Sequence, residues 1–190
     1  MDMNDLRDSL REISILEDLE STLLLTSGEN FRDAAFLSAK VLTENDKNLI
    51  YFTANSPLKE LMDELEYEGV DVSRLYFLDV ISKKLNIDFK DQKKVYYGKT
   101  PAEINNLLMN VTDVLEKWSD EADFLILDSF TGLLIYNDIK DAGRLLQRTD
   151  EKIKDKSVKG IYIALKEQLD EETIDKLMKI CDRKIDLTKN

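Results

Sequence analysis

Short apolar runs alternate with longer segments of helical periodicity along most of the chain. The runs are rich in Leu, Ile, Val, Phe and Tyr, which is typical of strands covered on both faces. Between them, apolar residues recur every three or four positions, which predicts helices that pack one face on a sheet. The alternation predicts an α/β fold with a mostly parallel central sheet flanked by helices. The predicted strands include 23–25, 49–53, 75–80, 95–97, 124–127, 160–165 and 184–187.

Capping and turn residues predict several helix ends. The segment 100–103 resembles a capping box with Pro101 at the first helical position, so we expect a helix to begin there. Pro57 is suited to starting the helix after the second strand, and Gly69 to ending it in the left-handed conformation. Asp170 is expected to cap the last helix.

The chain is predicted to form a single domain over residues 1–190, since no Pro/Gly/Ser-rich linker divides it. Near the amino terminus, Leu6, Leu10 and Ile13 mark one face of a short amphipathic helix within residues 1–19. We expect this helix to pack on an edge of the domain or on a partner.

Composition and net charge limit the classes of partner that we expect this chain to bind. The chain has 27 basic and 39 acidic residues and a net charge of −12, so its surface should repel phosphate backbones. We therefore expect no nucleic-acid partner. No apolar run has the length of a membrane span and no signal peptide precedes Leu6, so we also expect no membrane association and a cytoplasmic location.

Missing residue types exclude several classes of chemistry. The chain contains no histidine, which is the commonest metal ligand and the commonest general base near neutral pH. The single cysteine, Cys181, has no partner for an internal disulfide and follows an apolar helical pattern, so we interpret it as a core residue. Zinc sites, Ser-His-Asp triads and thiol dyads are excluded.

The segment 22–42 predicts a buried strand, a tight turn at Ser27–Gly28 and a helix, the arrangement in which many α/β proteins bind phosphate. A nucleotide-hydrolysing loop has the pattern G-x-x-x-x-G-K-S/T. If Gly28 is its first glycine, Asp33 replaces the second glycine, Ala34 the lysine and Ala35 the hydroxyl residue. The residues that hold phosphate and magnesium are therefore missing.

An internal anion is a candidate replacement for the phosphate. Asn30 is a favourable N-cap, and Asp33 three residues later resembles the acidic partner of a capping box. An aspartate in the first helical turn stabilises the helix dipole by about 0.3–1 kcal/mol and repels an incoming anion. We hypothesise that the helix supplies its own anion.

Asp128 ends the apolar strand FLILD, and ligands of open α/β sheets bind outside the carboxyl ends of the strands. A carboxylate in this position is suited to holding magnesium. The alternative is structural: Asp128 caps the following turn through Ser129 and Thr131. The strand alone does not decide between these two roles.

The segment 124–138, FLILDSFTGLLIYND, resembles the Walker B strand and its continuation in RecA-like ATPases of the KaiC type. The resemblance extends over most of the chain, through LLLTSGENFRDAAFLSAKVL, LYFLDVISK, SVKGIYIAL and CDRKIDL, and fits best with the archaeal-type members. It implies a three-layer RecA-like fold of the P-loop NTPase class. In active relatives a pair of glutamates follows the second strand, whereas this chain has Ala54-Asn55-Ser56. The resemblance therefore implies a degenerate member without an intact Walker A loop or a catalytic base.

Three functions follow from this interpretation. The first is a RecA/KaiC-like domain that has lost ATP hydrolysis and needs no cofactor, acting as a binding or regulatory module with a protein partner or as a homo-oligomer. The second is a nucleotide-binding protein or weak ATPase with Asp128 on magnesium and Arg32 in place of the lysine. The third is a structural subunit of a ring or dimer. The predicted degenerate site consists of Gly28, Glu29, Asn30, Arg32, Asp33, Asn55, Asp128 and Ser129.

Arg144 and Arg148, one helical turn apart, also have two interpretations. They are either an arginine finger offered to a neighbouring subunit or a surface ion-pair face with Asp141 and Glu151, and the second is preferred.

Overall fold

The computed structural model describes residues 3–16, 20–83, 93–98 and 100–188. Its strands are β1 (Ser21–Thr26), β2 (Leu49–Thr53), β3 (Leu75–Asp79), β4 (Val95–Tyr97), β5 (Phe124–Asp128), β6 (Lys159–Leu165) and β7 (Arg183–Asp186). Its α-helices are α1 (Met3–Ile15), α2 (Phe31–Glu44), α3 (Leu58–Tyr67), α4 (Ile104–Trp118), α5 (Phe130–Leu133), α6 (Ile139–Asp155) and α7 (Glu171–Leu177). Two short 3₁₀ helices span Val72–Arg74 and Lys166–Gln168.

The strands form one sheet in the order β4-β3-β2-β5-β6-β1-β7, and every pairing in it is parallel. The predicted parallel sheet is confirmed. Because β5 and β6 lie between β2 and β1, the strand that ends at Asp128 is flanked on both sides and is central to the sheet. Its carboxyl end is therefore enclosed by the loops that follow β2 and β6.

The sheet divides the core into two, and alternate residues of each strand serve opposite faces. Leu24 and Tyr51 belong to the face covered by α1, α2 and α3. Leu25 and Phe52 belong to the face covered by α4, α6 and α7. The predicted α/β architecture of three layers is confirmed.

The amino-terminal helix α1 packs against α2. Its three predicted apolar residues, Leu6, Leu10 and Ile13, are buried in the core on that side of the sheet. Arg7 adds an ion pair with Glu44 at 3.4 Å between Nη1 and Oε2. Residues 1–2 and 17–19 of the predicted element lie outside the described residues.

One predicted helix start is wrong. Helix α4 begins at Ile104, after the supposed capping box, and Glu103 is its N-cap without a side-chain hydrogen bond to the backbone. The Thr100 Oγ1 instead accepts the N–H of Ala102 at 3.2 Å, and Glu103 accepts from the Asn106 side chain. The polar side chains thus stabilise a turn before the helix rather than its first turn.

The other turn predictions are confirmed. Gly69 has φ +79° directly after α3, Pro57 immediately precedes that helix, and Asp170 accepts the N–H of Thr173 at 2.8 Å. Cys181 is buried, as expected of a core residue. None of the helices in the described part of the chain is long and apolar enough to cross a membrane.

Candidate functional site

The carboxyl ends of β2, β3 and β5 lie side by side at one edge of the sheet. Thr53 of β2 is paired in register with Asp128 of β5 on one side and with Asp79 of β3 on the other. All three residues are buried. In parallel sheets this edge is where ligands bind, so the side chains here define the candidate site.

Asp128 is held by two donors and is almost fully buried. The Tyr51 hydroxyl donates to its Oδ2 at 2.6 Å, and the Asn55 side-chain amide donates to its Oδ1 at 2.9 Å. Only 2% of Asp128 is exposed, whereas Asn55 itself faces solvent. Asn55 thus lies between the carboxylate and the surrounding water.

The alternation of side chains along a strand explains the contact between Tyr51 and Asp128. Tyr51 is paired with Ile126, two residues before Asp128, so both polar side chains project from the same face of the sheet as diagonal neighbours. The loop after β2 then returns Asn55 over the strand end. Thr53 fixes that loop, because its hydroxyl donates to the Ser56 carbonyl at 3.0 Å.

The turn after β5 is capped by Ser129 rather than by Asp128. The Ser129 Oγ accepts the N–H of Gly132 at 3.0 Å and starts the short helix α5. The Thr131 Oγ1 accepts the N–H of Leu165 at 3.2 Å and ties this turn to β6. The alternative in which Asp128 caps the turn is therefore wrong, because its carboxylate points to Tyr51 and Asn55 instead. The Asp128–Ser129 peptide bond is cis.

Gly132 leaves the space that Asn55 occupies. A Cβ at Gly132 would lie 1.8 Å from the Asn55 Oδ1, well inside the distance that two atoms tolerate. The glycine is therefore needed for close approach between the two loops, and not for an unusual backbone angle.

Burial dominates the electrostatics of this cluster. Desolvation raises the pKa of Asp128 above its usual range, while the hydrogen bonds from Tyr51 and Asn55 and the charge of Arg32 oppose that rise. The pKa of Tyr51 is raised well above its usual value by burial and by the neighbouring Asp128 carboxylate. Tyr51 therefore remains a neutral hydrogen-bond donor at ordinary pH.

The turn between β1 and α2 closes on itself. The N–H of Asn30 donates to the Ser27 carbonyl at 3.2 Å, and α2 begins at the next residue. Ala34 and Ala35, the predicted replacements for the lysine and hydroxyl of the phosphate-binding pattern, are fully buried. The N–H of Gly28 donates to the Glu167 carboxylate at 3.4 Å.

The predicted capping box of α2 is absent. Asn30 has φ −98° and ψ 2°, outside the extended conformation of an N-cap, and its side chain makes no capping hydrogen bond. Asp33 is exposed and lines a small cavity of about 240 Å³ beside α1 and α3, with Arg7 and Lys40. The carboxylate at the turn comes from Glu167 instead, in the loop after β6.

Arg32 points toward α3 rather than toward the turn. Its guanidinium lies 3.2 Å from the Glu64 carboxylate, donates to the Ser56 hydroxyl at 3.3 Å and stacks 5.5 Å from the Phe36 ring centre. Its positive charge lies close enough to Asp128 to oppose part of the rise in the pKa of that carboxyl.

The structure thus divides the predicted site residues into three groups. Asn55, Asp128 and Ser129 are in hydrogen-bond contact, since the Asn55 amide also donates to the Ser129 Oγ at 3.1 Å. Arg32 adjoins them through Ser56. The third group lies apart on the β1–α2 turn and the start of α2, and it comprises Gly28, Glu29, Asn30 and Asp33.

Sequence reasoning missed Tyr51, Gly132 and Glu167. Tyr51 lies within an apolar strand and carries no motif, and Glu167 is 139 positions from Gly28. No cluster of three or more acidic or cysteine side chains that could hold a metal occurs among residues 3–16, 20–83, 93–98 and 100–188.

The predicted ion-pair face on α6 is present. Arg144 pairs with Asp141 at 2.9 Å and Arg148 pairs with Glu151 at 2.8 Å. These contacts agree with the surface ion-pair interpretation of the two arginines.

Residues 21–190 match a family model described as a family of unknown function, DUF7090. The chain belongs to the DUF7090 family. Among curated proteins, none matches it.

Solved structures show which fold this DUF7090 chain has. Uncharacterized protein PH0321 from Pyrococcus horikoshii, solved in complex with an unknown peptide, is similar at a TM-score of 0.68 and 17% identity, over 94% of this chain and 81% of that one. KaiC-like protein PH0186 from Pyrococcus horikoshii OT3 is similar at a TM-score of 0.54 and 15% identity, over 77% and 61% of the two chains. The RecA-like, KaiC-like fold predicted from the sequence is confirmed, and identities this low show the fold alone.

Replacing Tyr51 by Phe should destabilise the chain. The change removes a donor to a buried carboxylate, so we expect a loss of about 1.5–3 kcal/mol in the free energy of unfolding. Tyr67→Phe, the same change on an exposed ring, is the matched control and should stay within about 0.5 kcal/mol of wild type. Urea unfolding measures both, and equal effects would contradict the assignment.

Gly132→Ala should disrupt the contact between Asn55 and Asp128. The added methyl overlaps the Asn55 Oδ1, so we expect a destabilisation of about 1–3 kcal/mol. Gly143→Ala is the control, because nothing lies within 4 Å of a Cβ there and alanine favours a helix by up to about 1 kcal/mol. In the Asn55→Ala background, the cost of Gly132→Ala should fall in thermal unfolding. An unchanged cost would show that the clash is not with Asn55.

The raised pKa of Asp128 predicts a pH-dependent stability term. For an acid whose pKa is raised in the folded state, the stabilisation is fully present below the pKa of the unfolded chain and is lost as pH rises through the folded pKa. Asp128→Asn does not titrate. The free energy of unfolding of Asp128→Asn should therefore rise relative to that of wild type as the pH increases from about 4, by about 1.4 kcal/mol for each unit by which the folded-state pKa is raised.

Chemical denaturation at several pH values measures this difference. The exposed Asp33→Asn accounts for the general effect of removing one negative charge. Parallel pH profiles for wild type and Asp128→Asn would contradict the raised pKa.

Proposed function

We propose that this chain is a RecA-like domain that no longer hydrolyses ATP and acts as a protein-binding or regulatory module. The observation that carries the proposal is the burial of Ala34 and Ala35. Two methyl groups, both fully buried, stand where the phosphate-binding pattern has a lysine and a hydroxyl. A loop of this kind has no side chain with which to hold a triphosphate or its magnesium.

The hydrogen bonds that Asp128 already accepts support the same proposal. Magnesium coordination requires carboxylate oxygens that reach the ion with little reorganisation. Here both oxygens accept hydrogen bonds from Tyr51 and Asn55, and the carboxylate is 2% exposed. Binding an ion would require Asn55 to move away first. Asp128 then serves to join β2 and β5.

Two further contacts argue against hydrolysis by the family mechanism. Arg32, the candidate replacement for the lysine, is engaged by Glu64 and Ser56. In the segment where active relatives place a base, Ala54 is buried and Asn55 donates to Asp128. Phosphoryl transfer depends on positioning and charge stabilisation, and this arrangement supplies neither.

The binding role is supported by the fold and by a neighbour. PH0321, which has a similar fold, was solved with an unknown peptide. A RecA-like domain without its reaction retains large helical surfaces, and this chain exposes several large apolar side chains on its helices and on the turn after α5. They are Ile15, Tyr67, Met109, Ile135 and Ile139.

Titration with ATP tests the loss of nucleotide binding. We expect no heat of binding and no change in Tm up to millimolar ATP with magnesium, because the Gly28 N–H at the β1–α2 turn is bonded to Glu167 and the Arg32 guanidinium is paired with Glu64. Isothermal titration calorimetry and thermal unfolding are the measurements. Saturable, magnesium-dependent binding that is abolished by Asp128→Ala and weakened by Arg32→Gln would overturn the proposal in favour of a nucleotide-binding protein.

A further inference from the structure

Helices α6 and α7 border a groove of about 700 Å³ on the face of the molecule opposite to α1, α2 and α3. One wall is a single face of α6 that extends from Ile139 to Lys154, a length of about 22 Å. The other wall is formed by α7 and the turn after it, through Thr173, Lys176, Leu177, Lys179 and Ile180. The groove shares no residue with the cluster around Asp128.

Positive charge dominates the rim of this groove. The described residues that line it include five basic side chains and two acidic ones, although the chain as a whole carries a charge of −12. Three of the five basic side chains are already paired with carboxylates in or beside the groove, namely Arg144 with Asp141, Lys154 with Asp150, Glu20 and Asp182, and Lys176 with Glu172. The basic residues are Lys140, Arg144, Lys154, Lys176 and Lys179.

The two acidic side chains in the groove are already paired. Asp150 is buried, accepts the Tyr162 hydroxyl at 3.1 Å and lies 3.1 Å from the Lys154 ammonium. Glu151 pairs with Arg148 at 2.8 Å. Neither carboxylate is left to attract a cationic partner.

Two of the cations are left for a partner. Lys140 and Lys179 are exposed on opposite walls, and within the described part of the chain neither has an ion pair or hydrogen bond. Ile139, 44% exposed, lies beside Lys140, and the partly exposed Ile180 lies beside Lys179, whereas Leu177 is buried in the core. The groove thus presents cations next to apolar surface on both walls.

Gly143 is the second observation that points to an occupant. It lies inside α6, and glycine is a poor residue for a helix interior. Its φ is not positive and a Cβ would meet nothing within 4 Å, so neither backbone strain nor packing in the described chain calls for it. A bound segment that passes close to the α6 backbone gives glycine a reason to be there.

We propose that the α6–α7 groove binds a peptide segment of a partner protein that carries both acidic and apolar side chains. The acidic side chains pair with Lys140 and Lys179, and the apolar ones cover Ile139 and Ile180. The inference rests on the protein-binding part of the proposed function and is independent of the loss of hydrolysis. An apolar floor and a strongly acidic protein disfavour a nucleic acid as the occupant.

A displayed library of random peptides of about seven residues is the probe, since an extended chain covers the groove length of about 22 Å at about 3.3 Å per residue. Peptides are selected on the wild-type chain, and Kd values are measured by fluorescence polarisation at low and high salt. We expect the selected peptides to combine Asp or Glu with Leu, Ile or Phe and to bind more weakly at high salt.

Three groove variants and one control locate the binding. Lys140→Glu, Lys179→Glu and Gly143→Leu should each weaken binding by about tenfold or more, through like charge in two cases and through filling the groove in the third. Lys59→Glu on α3, across the sheet, makes the same charge change and should leave the Kd unchanged. Gly143→Leu should not lower Tm, because its side chain enters open space.

Four results would contradict the binding of an acidic, apolar peptide in this groove. Failure to select peptides, selection of basic peptides, or equal Kd values for wild type and the groove variants would overturn the proposal. Light scattering that finds a dimer which Gly143→Leu dissociates would also overturn it, since a second copy of the chain would then fill the groove. ATP titration reports separately on the loss of hydrolysis, so the two proposals fail independently.

Discussion

The buried carboxylate of Asp128 is the constraint on which the centre of this molecule depends. Removing a carboxylate from water is costly unless hydrogen bonds replace the water. Tyr51 from the neighbouring strand and Asn55 from the following loop provide those bonds. Gly132 provides the room that Asn55 needs. These hydrogen bonds and this close approach thereby connect two strands and two loops at the carboxyl edge of the sheet.

This arrangement changes the role of the aspartate at the end of β5. In a sheet of this topology the carboxyl edge is the usual ligand site, and a free aspartate there suits a metal ion. In this chain the Asp128 carboxylate accepts hydrogen bonds from Tyr51 and Asn55. The Gly28 N–H donates to the Glu167 carboxylate, and Ala34 and Ala35 of α2 are buried in the core. The accessible polar and apolar groups that remain are on the helical layers, most clearly along α6 and α7.

The alternation of strands and helices and the layering were predictable from residue pattern, because apolar periodicity is local and survives without tertiary information. The order of the strands within the sheet came only from the structure. Gly69 and Asp170 were predictable for the same reason, since each acts within a few residues of its own position. The capping boxes at 100–103 and at Asn30 failed. Capping depends on backbone angles at the turn, and the sequence pattern does not fix those angles.

The sequence by itself determined an α/β chain with a parallel sheet and an aspartate at the end of the apolar strand FLILD. Only the tertiary structure decided what surrounds that aspartate, because Tyr51 comes from another strand without a motif, and Gly132 acts only through the space that it leaves for Asn55. The groove between α6 and α7 is also a tertiary property. Its charge arises from residues of two helices that strand order brings together, and the total charge of the chain has the opposite sign.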